Sequence, residues 1–356
     1  MIKILHLQKE LNITCGITKT IQLIIKHSSL QFDHHVMTFG GDGFERFREL
    51  GITPSVINYD QNSIIASFKF FLQLYRFIKK NNINIVHSHH RYFDLQSFFV
   101  SKILNIRTLT SVQSKVYGHK VFSYKSEKLI ACSLTIKNHL IEEFHKNANR
   151  IIVVNNFVDP SEVTRAEDLR GKLGIPEKAT LLGFFGRLSF KEKGVDILLN
   201  SFKNLSIRND NIYLLLVGKG SDSEAINQII KKESLRAVLL SPQTEIFNLY
   251  DITDIVVLPS RVEPFGIIII ESGLMKKPFI GSKIDGIQEI IIHGENGLLF
   301  ETGNSEELEL QIEAILKNPT FAKELGINLY KKVIKYYTPA KILPKYEKLY
   351  SELINA

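Results

Sequence analysis

Short apolar runs alternate with stretches of helical periodicity from one end of the chain to the other. In the first half, residues 2–7, 36–39, 55–57, 83–86, 108–112, 129–131 and 151–154 read as strands, with helical periodicity over 64–80 and 134–145. The second half repeats the theme, with strands at 181–185, 213–217, 255–258 and 278–281. Runs apolar on both faces and separated by helices predict parallel sheets covered by helices on each side, the doubly wound α/β class. Segment 159–178 is polar, carries Pro160 and Pro176, and breaks the alternation, so the domain linker is placed there. Two Rossmann-like domains are expected, at 1–160 and 161–338. A final helix within 339–356 has room to cross back onto the first. Two such sheets facing each other form a cleft lined by strand carboxyl ends, where this class of fold binds ligands.

At 356 residues the chain is too long for one ordinary core, and 44% apolar with 23% charged residues is globular composition. No run approaches the ~20 apolar residues of a membrane span, and residues 1–7 read as a strand rather than the start of a leader. Cys15 and Cys132, far apart, suit a reducing cytoplasm and argue against a disulfide framework or thiolate metal site. A cytoplasmic location is expected, with docking on a membrane left open. The net charge of +8 is uneven: residues 1–160 hold 20 Lys/Arg against 11 Asp/Glu, whereas 161–356 hold 25 against 26. An excess confined to the first half marks an anionic partner, with a membrane surface and nucleic acid both open.

The strongest candidate chemistry is Ser260-Arg261-Val262-Glu263-Pro264-Phe265-Gly266, followed by Ile267 to Ile270 and Glu271. A buried strand ends just before it and a helix begins near Phe265, so backbone N–H groups and the positive helix end suit a phosphate or sugar hydroxyl. Glu263 has an alternative reading as a helix cap. Glu271 follows a stretch apolar on all sides, so its carboxylate is expected to be buried and to need a partner. The second constellation runs from Gly183 through Gly186-Arg187-Leu188 to Lys193-Gly194. Arg187 offers a planar fork for phosphate oxygens and Lys193 a mobile point charge, together a diphosphate clamp at a strand end. Gly218 and Gly16, each after a strand, are weaker signs of close backbone approach to a ligand. His87-Ser88-His89-His90 also ends a strand. His-x-His is a metal-ligand spacing, but no neighbouring carboxylate or cysteine completes a set, and no metal or other cofactor is expected. There is no nucleophile elbow, Walker-type loop or Gly-x-Gly-x-x-Gly opening the first helix.

These residues resemble the GT-B glycosyltransferases of family 4, the group 1 glycosyl transferases. The matching blocks are Gly186-Arg187-Leu188-Ser189 with Lys193-Gly194, Leu216-Val217-Gly218, Leu249-Tyr250 with Asp254 to Ser260, Glu263-Pro264-Phe265-Gly266 with Glu271, and Gly286, Glu289 and Gly294 to Leu298. The first half is similar more loosely, through residues 85–89, 130–133, Asn156 and Asp159. The resemblance implies a retaining enzyme, of hexosyl- or N-acetylhexosaminyl-transferase type. It would move sugar from a nucleotide-diphosphate donor to a glycan or lipid-linked acceptor, in bacterial surface polysaccharide or glycoconjugate synthesis. It implies that Arg187 and Lys193 bind the diphosphate in place of a metal. Glu263 would contact the donor sugar beside the N–H groups of Phe265 and Gly266, and Glu271 would hold the ribose. Gly186, Gly218, Ile267 and Gly16 join the donor-binding set, the first domain takes the acceptor, and no nucleic-acid partner is expected. Family members often carry a histidine after the strand at 108–112. Here Gln113 stands in that place and is the candidate sugar-orienting residue. The rival readings are a non-catalytic nucleotide-sugar or nucleic-acid binding protein on the same fold, and a nucleotide-sugar epimerase.

Overall fold

The computed structural model describes residues 1–57, 64–164 and 169–355. The chain forms two compact units, one of residues 1–156 with 339–356 and the other of residues 157–338. The boundary thus falls before the polar segment rather than inside it, directly after Asn156.

The first unit is a seven-stranded parallel sheet of β1 (Ile2–Gln8), β2 (Phe32–Thr38), β3 (Ser55–Val56), β4 (Ile85–Ser88), β5 (Arg107–Val112), β6 (Lys128–Ala131) and β7 (Ile151–Val153), in the order β3-β2-β1-β4-β5-β6-β7. The helix Ile64–Asn81 buries Phe70, Leu74 and Ile78 in one cluster with Leu5, Leu7 and Val86. That is the spacing of one face of a helix. The C-terminal helix Pro339–Asn355 belongs to this unit. Tyr346 and Tyr350 on it are buried, and the Tyr350 hydroxyl lies 2.8 Å from His87 Nδ1.

The second unit is a six-stranded parallel sheet of β8 (Thr180–Phe185), β9 (Ile212–Val217), β10 (Ala237–Leu240), β11 (Ile255–Leu258), β12 (Phe279–Ser282) and β13 (Leu298–Phe300), ordered β10-β9-β8-β11-β12-β13. β10 and β13 are absent from the sequence expectation, for good reason. Both sit at sheet edges, where β10 is only half-buried and β13 is three residues long. The order reverses between β8 and β11, because the chain builds outward through β9 and β10 and then returns to the other side of β8. Ligands of doubly wound sheets bind at the strand carboxyl ends beside such a switch point.

Candidate functional site

Three loops meet at the carboxyl ends of the adjacent strands β9, β8 and β11. The loop after β8 holds Gly186 and Arg187, then a short helix Phe190–Lys193 capped by the Ser189 hydroxyl, which accepts from Glu192 N. Gly194 follows at φ +64°, a conformation glycine adopts without penalty. A Cβ there would lie 2.0 Å from the carbonyl oxygen of Pro259 at the end of β11, so only glycine lets the two loops touch. Gly218 plays the same part after β9, where a Cβ would fall 1.8 Å from the Gly186 carbonyl oxygen.

Lys193 Nζ donates to Glu263 Oε2 at 2.6 Å, and the side chains are only 17% and 9% exposed. Arg187 is turned outward and pairs with Glu192 at 2.9 Å, with exposures of 65% and 48%. Arg261 forms a bidentate pair with Asp196 at 2.8 and 2.7 Å, which raises its already high pKa, while its N–H and that of Val262 donate to the Glu192 carbonyl. The Glu263 loop is thereby tied to the Lys193 loop through both backbone and side chains. Nothing in the sequence assigns a role to Glu192, Asp196 or Arg261, because exposed charges carry no signal of which partner they meet.

Phe265 is buried and packs edge-on against Tyr337, with ring centroids 5.7 Å apart. Gly266, at φ +93°, ends the loop without a side-chain cap, and Ile267 opens the helix Ile267–Leu274. No side chain caps that first turn, and the helix begins a few residues after the carboxyl end of β11. Glu271 lies on the same helix, is 7% exposed, and accepts a hydrogen bond from the Tyr250 hydroxyl at 2.9 Å. Arg187, Lys193, Gly186, Gly218, Glu263, Phe265, Gly266, Ile267 and Glu271 are thus grouped in one unit around the switch point.

Gly16 and Gln113 lie in the first unit. Gly16 is the first residue of the helix Gly16–His27, where the Thr20 hydroxyl donates to its carbonyl at 2.9 Å. Gln113 directly follows β5 and is half-buried, and its amide has no hydrogen-bond partner among the described residues. The histidine run proves to be part of a larger group. His6 on β1 stands in register with His87 on β4, and His6, His87 and His89 bring nitrogens within 4.8 Å of one another, a metal-ligand spacing. From the sequence alone, no third ligand could be seen, because His6 comes from a distant strand. His6 Nδ1 lies 3.0 Å from His89 Nε2 and His6 Nε2 2.9 Å from His34 Nδ1, while His87 bonds Tyr350 and Ser111 at 2.8 and 2.7 Å. Every nitrogen of His6 and His87 is therefore engaged with a protein atom. Burial holds His34 down at about 4 and His89 at about 3, and pushes His6 and His87 well below the ordinary range. The cluster is neutral near pH 7 and packs as a polar seam under the C-terminal helix.

Residues 165–332 match the model of the glycosyl transferases group 1, and residues 16–162 that of glycosyltransferase family 4. The chain belongs to the family 4 glycosyltransferases, group 1. An uncharacterised glycosyltransferase of Methanocaldococcus jannaschii is 26% identical over 357 residues, covering 95% of each chain. A glycosyltransferase from Rickettsia africae superposes with a TM-score of 0.85 at 24% identity, over 99% of this chain and 98% of that one. HepE of Anabaena, solved in complex with UDP-glucose, gives a TM-score of 0.85 at 20% identity over 99% and 100%. The fold of this glycosyltransferase is GT-B.

Proposed function

We propose that this glycosyltransferase takes its sugar from a nucleotide-diphosphate donor and retains the anomeric configuration. The observation that carries this reading is at the β8/β11 switch point, where the loop bearing Arg187 and Lys193 is tied to the Glu263 loop that leads into the helix Ile267–Leu274. Arg187 and Lys193 bind the diphosphate and stabilise the charge that grows on it as the sugar C1–O bond breaks, the role a divalent metal plays elsewhere. Glu263, fixed by Lys193, receives the sugar hydroxyls, and Glu271 receives the ribose. The acceptor hydroxyl attacks from the face the phosphate leaves and gives its proton to the departing phosphate oxygen. Gln113 orients a sugar hydroxyl through an amide that both donates and accepts. The Anabaena complex with UDP-glucose supports a nucleotide-sugar donor. Screening UDP-, GDP- and ADP-sugars for thermal stabilisation should single out the donor, since ligand at 100 times its Kd stabilises by roughly 2.7 kcal/mol. Turnover of that donor should then survive EDTA, and complete loss on chelation would overturn the metal-independent mechanism.

The acceptor is a glycan or lipid-linked molecule of surface polysaccharide or glycoconjugate synthesis, reached from an anionic membrane surface. One face of the helix Ile64–Asn81 is buried, but the opposite stripe exposes Ile65 (68%) and Phe68 (62%), with Lys69, Arg76, Lys79 and Lys80 exposed beside them. The neighbouring helix Arg91–Leu104 exposes Phe99 and Ile103 on either side of exposed Lys102. Apolar side chains interleaved with lysine and arginine suit the headgroup boundary of an anionic bilayer. No helix among the described residues is long and apolar enough to cross a membrane.

A further inference from the structure

Tyr250 reaches Glu271 from a separate helix, Ile246–Ile252, and is itself fully buried. Its ring stacks on Phe185 with centroids 4.0 Å apart and planes 25° from parallel. Phe185 is the last residue of β8, immediately before Gly186 and Arg187. One aromatic pair therefore links the strand that launches the cationic loop to the carboxylate on the next helix. The helix around Glu271 is apolar, with Ile269 and Ile270 fully buried. A carboxylate in such surroundings needs a donor, or burial would favour its neutral form. Tyr250 supplies that donor without adding a charge. Burial, and then the adjacent carboxylate, push the phenol well above its usual range, so it stays a donor throughout the working pH range.

We infer that Tyr250 is a positioning residue that fixes one oxygen of Glu271, aims the carboxylate at the vicinal hydroxyls of the donor ribose, and thereby sets preference for ribonucleotides over dideoxyribonucleotides. The inference rests on the proposed role of Glu271 as ribose holder. A site built to bond a hydroxyl rejects an analogue that lacks it, because its own buried group then loses one hydrogen bond without gaining another. A correctly held carboxylate discriminates, and one free to rotate does so less.

The test is calorimetric titration of UDP, GDP and ADP, each with its 2′,3′-dideoxy analogue, against wild type, Tyr250→Phe, Glu271→Gln and the double variant. Phenylalanine keeps the ring and its stack on Phe185 and removes only the hydroxyl. For the diphosphate that binds, wild type should prefer the ribo form by about ten-fold or more. Tyr250→Phe should lower ribonucleotide affinity several-fold, spare the dideoxy analogue, and add nothing in the Glu271→Gln background. Equal losses for both ligands would mean that Tyr250 only packs, and an unchanged ratio would likewise overturn its positioning role. Two other outcomes would instead remove the reading beneath it: a Glu271→Gln variant with undiminished ribo preference, or failure of all three diphosphates to bind wild type.

Discussion

Lys193 Nζ lies 2.6 Å from Glu263 Oε2, joining the loop after β8 to the loop after β11 across the switch point. Neither partner is well hydrated, so removing one leaves the other charged in a low-dielectric setting. Lys193→Ala should lower kcat by about 10²-fold or more and also lower Tm. Arg187→Ala should match the kinetic loss yet barely move Tm, because its pair with Glu192 is exposed and such pairs contribute about 0–1 kcal/mol. Steady-state kinetics with thermal melts of both variants separate the two. Equal Tm for both would show that the Lys193 pair is as weakly coupled as the Arg187 pair.

Glu192 occupies the Arg187 guanidinium that a phosphate would use. Glu192→Gln should therefore tighten nucleotide-diphosphate binding, by up to about five-fold, the equivalent of roughly 1 kcal/mol. The carbonyl of Glu192, which ties down Arg261 and Val262, is untouched by the change. Weaker binding by calorimetry would mean that the carboxylate helps hold the donor.

Both sheets were legible from the chain wherever a strand is central, because burial on both faces leaves an apolar run. β10 and β13, the edges of the second sheet, were not, although the edge strands β3 and β7 of the first sheet were. Arg187, Lys193, Glu263 and Glu271 announced themselves by chemistry at strand ends. Their partners did not. Tyr250 lies 21 residues from Glu271 and Glu192 only 5 from Arg187, and nothing in either spacing says that the side chains meet. The histidine seam was half visible, as His87 and His89. His6 and His34 join it only through strand register, which sequence periodicity does not encode.

That seam makes the first unit acid-sensitive. Four histidines are held neutral in the fold but have ordinary pKa values near 6.5 once unfolded, so the unfolded chain binds more protons at mildly acidic pH. Stability is thus full above about 6.5 and falls as pH drops toward the folded values, about 4 for His34 and about 3 for His89. Urea midpoints should decline steadily from pH 7 to 4.5, and His89→Asn should flatten that slope. A midpoint independent of pH in this window would refute the account.

Membrane docking has its own signature. Liposome sedimentation should show binding that rises with anionic lipid and fades with salt, since each basic residue near the surface contributes about 1 kcal/mol. Phe68→Glu should cut binding several-fold without lowering donor turnover in solution. Equal recovery on neutral and anionic vesicles would exclude the electrostatic component.

Gln113 should matter to the sugar step alone. Gln113→Ala is expected to lower kcat while leaving nucleotide-diphosphate affinity almost unchanged. Glutamine does not titrate near neutrality, so the pH–rate profile should gain a group in Gln113→His. Full activity of Gln113→Ala with the true acceptor would remove the residue from the proposed mechanism.

The bond between His87 and Tyr350 spans 263 residues of chain, and the whole second unit lies between its ends. On the ribosome, the first domain is therefore begun first and finished last. Residues 157–338 emerge and can fold while the histidine seam still lacks its covering helix. At about 5–20 residues per second, that wait is on the order of ten seconds or more. For that interval the face of the first domain that Ile342, Leu343, Tyr346, Leu349, Tyr350 and Leu353 will cover stays open to water.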